Sequence, residues 1–184
     1  MFLFLALFLL FIIASAFVGF LITRVPFVPT YTGDIKFIVD KLHISSKDVF
    51  YDLGSGNGKV VFLVEKLTGA RVTGYELTWW THLWAKIRLK IQDLGFKIKH
   101  GNPAESPSKR ISFSNKNFFK QDWSGANIIY CYLYPPLMGK IEEKFVSNMK
   151  PGSIAIVRDF PFPNMGYEQK YYLPKDHEIY VYKL

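Results

Sequence analysis

At 184 residues and 49% hydrophobic content the chain has room for one domain of ordinary size with a full core, plus a short appendage. The single cysteine, Cys131, excludes an intramolecular disulfide. The formal charge of +8 admits anionic lipid headgroups, an acidic protein or nucleic acid as partners, beside the plainer reading of a solvated basic face with no partner.

The appendage comes first. From Met1 to Thr23 no residue is charged, and Leu, Phe, Ile, Ala and Val dominate until Arg24. As a helix this run reaches roughly 34 Å, enough to cross a hydrocarbon layer of about 30 Å. It predicts an N-terminal transmembrane helix. A cleaved signal peptide competes, with Ala14-Ser15-Ala16 as a small-residue site, but the run has no basic start and continues past that site. All Lys and Arg residues follow the run, so the domain is expected to face the cytoplasm, or the matrix if the membrane is mitochondrial.

Pro26 and Pro29 make the next segment extended, either a rigid spacer or a strap over a ligand. A helix is expected from about Gly33 to Leu42, with Ile35, Ile38, Val39 and Leu42 on one face. The chain thus divides into an anchor (1–23), a linker with an N-terminal helix (24–47) and a main domain (48–184).

The domain is organised around its first unit. Val49 to Leu53 reads as a buried strand, Gly54-Ser55-Gly56-Asn57-Gly58 as a glycine-rich turn, and Lys59 onward as a helix continuing through Leu67. Alternate glycines bare the backbone, and amide groups at a helix N-terminus face whatever lies against it. The G-x-G-x-G spacing after Asp52 differs from dinucleotide-binding and phosphate-loop patterns, and no Lys-Ser or Lys-Thr pair follows. A second strand, Arg71 to Tyr75, ends at Glu76, one strand-turn-helix-strand unit beyond Asp52. An acid there is placed to accept both hydroxyls of a ribose, and two acids at two strand ends suit a nucleoside without phosphates.

Trp79 to Leu94 predicts a helix whose Trp80, Leu83, Trp84, Ile87, Ile91 and Leu94 form one stripe, read as mostly core, with Trp79 or Trp80 as a candidate neighbour of adenine. Phe96 to Lys109 carries loop signals, and Gly101 to Lys109 reads as a flexible insertion without chemistry. Strands are expected at Arg110 to Phe113, Asn127 to Tyr132, Ser153 to Val157, Glu168 to Tyr172 and Glu178 to Leu184, with a helix from Leu137 to Met149. Ligands of open α/β sheets sit outside the carboxyl ends of the central strands, so Tyr132 and Tyr134 are candidates for lining an acceptor pocket. The histidines share no spacing with cysteines or acids, so no metal site is expected.

The glycine turn resembles motif I of the class I, seven-stranded methyltransferases that use S-adenosylmethionine. The resemblance implies an α/β, Rossmann-like, seven-stranded, mostly parallel sheet with helices on both faces and a final antiparallel strand. It also implies a cofactor site at Asp52, Gly54, Ser55, Gly56, Gly58, Glu76 and Leu77, with Asn117 meeting the adenine amino group and Phe118 covering the ring. Pro26-Phe27-Val28-Pro29-Thr30, Gly74-Tyr75-Glu76-Leu77, Asn117-Phe118-Phe119-Lys120 and Phe160-Pro161-Phe162-Pro163 together are similar to the family of the mitochondrial ATP synthase c-subunit lysine N-methyltransferase and its prokaryotic relatives. That likeness covers nearly the whole chain and implies protein-lysine methylation, a hydrophobic N-terminal segment, and Thr30 folding over the cofactor. Asn117 replaces an acid of some members, and Trp79 a common proline. Methyl transfer to lysine needs a neutral amine. No strong base signature is present, and Tyr134, Tyr132, Asp122 and Asp159 are the candidates for orienting the amine. The expected activity is methylation of lysine in a membrane or membrane-associated protein. A small or lipid-soluble acceptor such as a quinone precursor or phospholipid amine, or a non-catalytic cofactor-binding scaffold, are the alternatives. Nucleic acid is the weaker acceptor, because Leu133-Tyr134-Pro135-Pro136 matches the base-methylating motif only loosely.

Overall fold

The computed structural model of the protein describes residues 4–6, 10, 30–101 and 106–184. The expected membrane helix at residues 1–23 and the strap before Thr30 lie almost wholly outside them. Among the described residues no helix is long and apolar enough to cross a membrane.

From Thr30 onward the described residues form these helices and strands in chain order: α1 (Thr32–Lys41), β1 (Val49–Leu53), α2 (Lys59–Thr68), β2 (Arg71–Tyr75), α3 (Trp79–His100), β3 (Ile111–Ser114), β4 (Ile128–Cys131), α4 (Met138–Asn148), β5 (Ile154–Arg158), β6 (Gln169–Leu173) and β7 (His177–Lys183), joined in places by one-turn 3-10 helices. The strands form one seven-stranded sheet in the order β3-β2-β1-β4-β5-β7-β6. The first five are mutually parallel, and β7 runs antiparallel between β5 and β6. Strand order reverses between β1 and β4, which opens a crevice above their carboxyl ends.

Burial explains the strand sequences. Every residue of β4 is buried, as are Ala155 to Arg158 of β5, and both strands read as continuous apolar runs because each face is covered. On one face Phe50, Val72, Tyr130 and Ile156 pack with Ile35 and Ile38 of α1 and Val61 and Val64 of α2. On the other, Leu53, Ile129 and Val157 pack with Trp123 and with Ile141 and Phe145 of α4. Burying each such side chain contributes about 1.5–3 kcal/mol. Trp123 is fully buried and satisfies its indole by donating from Nε1 to the Phe118 carbonyl at 3.0 Å.

Two expectations from the sequence need correction. The helix α3 runs to His100, six residues beyond Leu94, because Asp93 ties it to the following turn by accepting from Ser106 Oγ and from the Ser108 amide. Gly101 then ends it in the left-handed region, at φ 68°. The insertion read at Gly101 to Lys109 contains a one-turn 3-10 helix at Pro107–Lys109, and residues 102–105 lie outside the described set. The second correction concerns the apolar stripe of α3, expected to be core. Leu83, Trp84, Ile87, Ile91 and Leu94 are exposed, and Trp80 is half-buried. What holds α3 to the domain is the opposite side, where Ala85 is buried and Leu89 packs on the core.

Candidate functional site

The crevice is lined first by the glycine turn. Gly54, Gly56 and Gly58 have φ of 85°, 51° and 78°, which only glycine adopts without strain. The amides of Gly54 and Ser55 both donate to the Tyr75 carbonyl at 2.9 Å, and Gly58 N donates to the Ser55 carbonyl at 2.8 Å, so the turn is stitched to the end of β2. Two glycines also serve packing: a Cβ on Gly54 would lie 2.7 Å from Leu133 Cδ2, and one on Gly58 would lie 2.5 Å from Phe113 Cζ. Baring the backbone to a ligand is therefore only part of their reason.

Glu76 stands at the tip of β2, half-buried. Its carboxylate accepts from the Gly56 amide at 2.8 Å and from the Thr78 amide at 2.7 Å, which fixes it between the turn and the start of α3. Two bonds leave about half of the lone-pair positions of an ionised carboxylate open. Asn115 Nδ2 donates to the carbonyls of Glu76 and Leu77 at 2.7 and 3.0 Å and holds this corner from β3. Leu77 itself is exposed.

Asp52, at the end of β1, is buried, and its Oδ2 finds no partner among the described residues. Burial first, and then the negative charge of Glu76, push its pKa up to about 8. The hydroxyl of buried Ser55 is likewise unpartnered. Buried polar atoms are normally satisfied, so two orphans beside a glycine turn are what a binding site for a polar ligand leaves behind. Trp80 Nε1 and His82 Nδ1, at the start of α3, are also without partners among the described residues. Burial and Lys86 lower the His82 pKa while Glu76 opposes them, which places His82 within the field of the Glu76 carboxylate. His82 was not among the sequence candidates; its only signal is its place in the first turn of α3, six residues beyond Glu76.

On the opposite wall Asn117 turns its Oδ1 to the Phe119 amide at 2.9 Å and caps a one-turn helix, Phe118–Lys120. Phe118 packs on Phe119 and Trp123. Asp122 is exposed and bonds Ser124 through both oxygens, so its carboxylate is spent on its own turn.

The rim above β4 and β5 is built differently. Thr30 is buried, with Oγ1 3.2 Å from the hydroxyl of Tyr130, which brings the end of the N-terminal segment onto β4. Arg158, at the end of β5, is fully buried: Nη2 lies 2.8 Å from Asp34 Oδ2 and the guanidinium 4.6 Å from the Tyr132 ring. The Asp34 contact is off the hydrogen-bonding direction, an ion contact that leaves the Arg158 donors without a hydrogen-bond partner among the described residues. Tyr132 is half-buried, and burial followed by the Asp159 carboxylate pushes its pKa up to about 12. Asp159 sits in the left-handed region at φ 61°, a strained place for a residue with a side chain. Its carboxylate accepts from the Glu178 amide at 2.9 Å and lies 2.9 Å from His177 Nδ1, so both oxygens are engaged by β7. Tyr134 is 47% exposed on the loop after β4.

The structure thus gathers Asp52, the glycine turn, Ser55 and Glu76 at one end of the crevice, and Thr30, Tyr132 and Asp159 at the other. Asp122 shares no partner with Asp159. Asp34, Arg158 and His177 complete the second group and were missed from sequence. Among the described residues no group of side chains is arranged to hold a metal.

The orphaned Asp52 and Ser55 atoms, the stitched turn and the open positions of Glu76 fit the nucleoside and amino acid ends of S-adenosylmethionine. Comparisons with known proteins agree. The chain is 23% identical over 172 residues to a protein-lysine N-methyltransferase of Saccharolobus islandicus, covering 88% of this chain and 94% of that protein. Its fold is shared with an RNA methyltransferase of Salinibacter ruber solved with S-adenosyl-L-homocysteine, at TM-score 0.73 and 22% identity over 85% of this chain and 93% of the other. A putative methyltransferase of Escherichia coli gives TM-score 0.63 at 15% identity, over 86% of this chain and 88% of the other. Residues 52–169, from the acid before the glycine turn to the first residue of β6, match the ANTKMT methyltransferase domain. The chain belongs to that family and is a class I methyltransferase dependent on S-adenosylmethionine.

Proposed function

We propose that the protein methylates the side-chain amine of lysine in a protein held at a membrane. The observation that carries this reading is the aromatic rim beside β4 and β5. There the chain's own Lys175 places Nζ 4.3 Å over the ring of Tyr31, a rim geometry suited to a lysine cation. Tyr31, Tyr134 and Phe160 are exposed around it and Tyr132 is half-buried. The relative from Saccharolobus islandicus, named for lysine methylation, supports the same acceptor over nearly its full length. The uncharged run at residues 1–23 supports membrane attachment with the domain on the cytoplasmic or matrix side.

When bound, S-adenosylmethionine supplies a sulfonium methyl carbon, which an amine lone pair takes as the carbon–sulfur bond breaks. Asp52, Ser55 and Glu76 bind and orient at the cofactor end. Tyr132, its hydroxyl kept protonated by burial and Asp159, presents a neutral phenol to the amine. Desolvation against that ring disfavours an ammonium and admits the neutral amine. Alignment of the reacting atoms then supplies most of the acceleration.

The test is transfer of tritium from labelled S-adenosylmethionine into membranes, with wild type beside Asp52→Ala. Label in a protein band, mapping to lysine and lost in the variant, is expected. Label that partitions into organic solvent replaces the lysine reading with a lipid-soluble acceptor, and label in RNA replaces it with a nucleic acid.

A further inference from the structure

Helix α3 carries two apolar sides. The inner one is narrow, Ala85 and Leu89. The outer one runs the length of the helix through Leu83, Trp84, Ile87, Ile91, Leu94 and Ile98, successive turns of one face at i, i+4, i+8, i+11 and i+15 from Leu83 with Trp84 alongside. Ile91, Leu94 and Ile98 are 63%, 61% and 79% exposed, so this face is covered by nothing else in the described chain. Lys86, Lys90 and Lys97 run along one border of the stripe, and Lys99 lies on the other, all exposed. The helix has a single acid, Asp93, turned away from the stripe and bound to Ser106 and Ser108. Arg88 is drawn inward, donating to the Asn57 carbonyl at 2.9 Å with its guanidinium 4.7 Å from the Phe62 ring.

We propose that the outer face of α3 lies in the headgroup region of an anionic lipid surface, its stripe sunk to the acyl boundary and its lysines among the phosphates. A long amphipathic helix with low mean hydropathy, lysines beside the apolar face and tryptophan at its border is the form that lies in an interface rather than across it. Charge complementarity selects lipid over the two other occupants. A second copy of α3 would bring the same lysines against these with no acid between them. Residues 1–23 carry no charge and would leave the lysine border unpaired. Lipid phosphates pair with it, and each basic side chain near an anionic surface adds to the attraction. The contact is separate from membrane attachment through residues 1–23 and from the identity of the methyl acceptor. It would also fix how the domain faces the membrane, since α3 begins three residues after Glu76 and its start forms one wall of the cofactor crevice.

The full-length chain in vesicles tests this. The native thiol, Cys131, is buried, so a nitroxide can be attached selectively to Ile91→Cys on the stripe or to Gln92→Cys beside it. In vesicles rich in phosphatidylserine, the label at 91 is expected to be reached by oxygen and shielded from a polar nickel chelate, and the label at 92 to be reached by the chelate. Lys86→Glu with Lys90→Glu and Lys97→Glu is expected to return the label at 91 to water, as are vesicles of phosphatidylcholine alone. S-adenosyl-L-homocysteine binding at wild-type strength verifies that each variant is folded. A label at 91 that stays open to the chelate on anionic vesicles overturns the proposal. So does a label shut off from both reagents, which would mean that residues 1–23 or a second copy covers the face.

Discussion

Replacing Asp52 by asparagine is expected to stabilise the protein at neutral pH while weakening its cofactor site. With the pKa of Asp52 near 8 in the fold against 3.8 unfolded, the folded chain keeps a proton that the unfolded chain releases. Stability from this group is therefore fully present below about pH 4, falls as pH rises, and reaches its floor above about pH 8. At about 1.4 kcal/mol per unit, the whole span is on the order of 5 kcal/mol. The asparagine would abolish the titration but bring N–H donors that Oδ2 has no partner to receive, at about 1–3 kcal/mol. The net gain near neutral pH is then about 2–3 kcal/mol, or an increase in Tm of about 5–10 °C for a chain of this size. Urea unfolding of both proteins from pH 4 to pH 9 measures it. Wild type should be the more stable at the acid end, the curves should cross at about pH 5–6, and they should diverge through neutrality and run parallel above about pH 8. Curves parallel throughout would show that Asp52 is ionised in the fold and refute the reasoning. Affinity for S-adenosyl-L-homocysteine, read by calorimetry on the same samples, should fall in the variant.

Glu76→Ala removes a carboxylate that also anchors the Gly56 amide, and is expected to weaken binding of S-adenosyl-L-homocysteine about 10- to 100-fold; unchanged affinity in equilibrium dialysis would remove Glu76 from the site. Asp34→Ala strands the buried Arg158 guanidinium and should cost about 3–5 kcal/mol in chemical denaturation, whereas Asp34→Ala with Arg158→Met should recover most of that loss, and failure to recover would mean that the pair is not coupled.

The grouping of Asp52, the glycine turn and Glu76 was legible because its information is local. A glycine turn after a buried acid, then a strand ending in a second acid, places Asp52, Ser55 and Glu76 within one strand-turn-helix-strand unit, and the topology does the rest. The group at the other end of the crevice was legible only in part. Tyr132 and Asp159 could be read from the ends of β4 and β5, but their surroundings depend on Asp34 in α1 and His177 in β7, which only the folded sheet brings together. One signal was available: an arginine closing the apolar run of β5 must either leave the sheet or find an acid, and Asp34 shares the buried side of α1 with Ile35 and Ile38. Helix α3 failed for another reason. Periodicity reveals that one side of a helix is apolar but not which solvent it faces, and the side packed on the sheet offered only Ala85 and Leu89 as a signal.

The place of β7 between β5 and β6 sets an order of events during synthesis. When β5 has left the ribosome it can pair with β4, but its other edge, the backbone of Ile154 to Arg158, stays open until β6 and then β7 have followed. An open edge on so apolar a strand is a template for another nascent chain, and a binding site for chaperones that recognise extended hydrophobic segments. The antiparallel β6–β7 hairpin joins neighbours in sequence, the kind of contact that forms quickly. Pairing of β7 with β5 brings His177 to Asp159, so a ribosome that pauses before β7 would hold a chain whose glycine turn and Glu76 are in place before that contact exists.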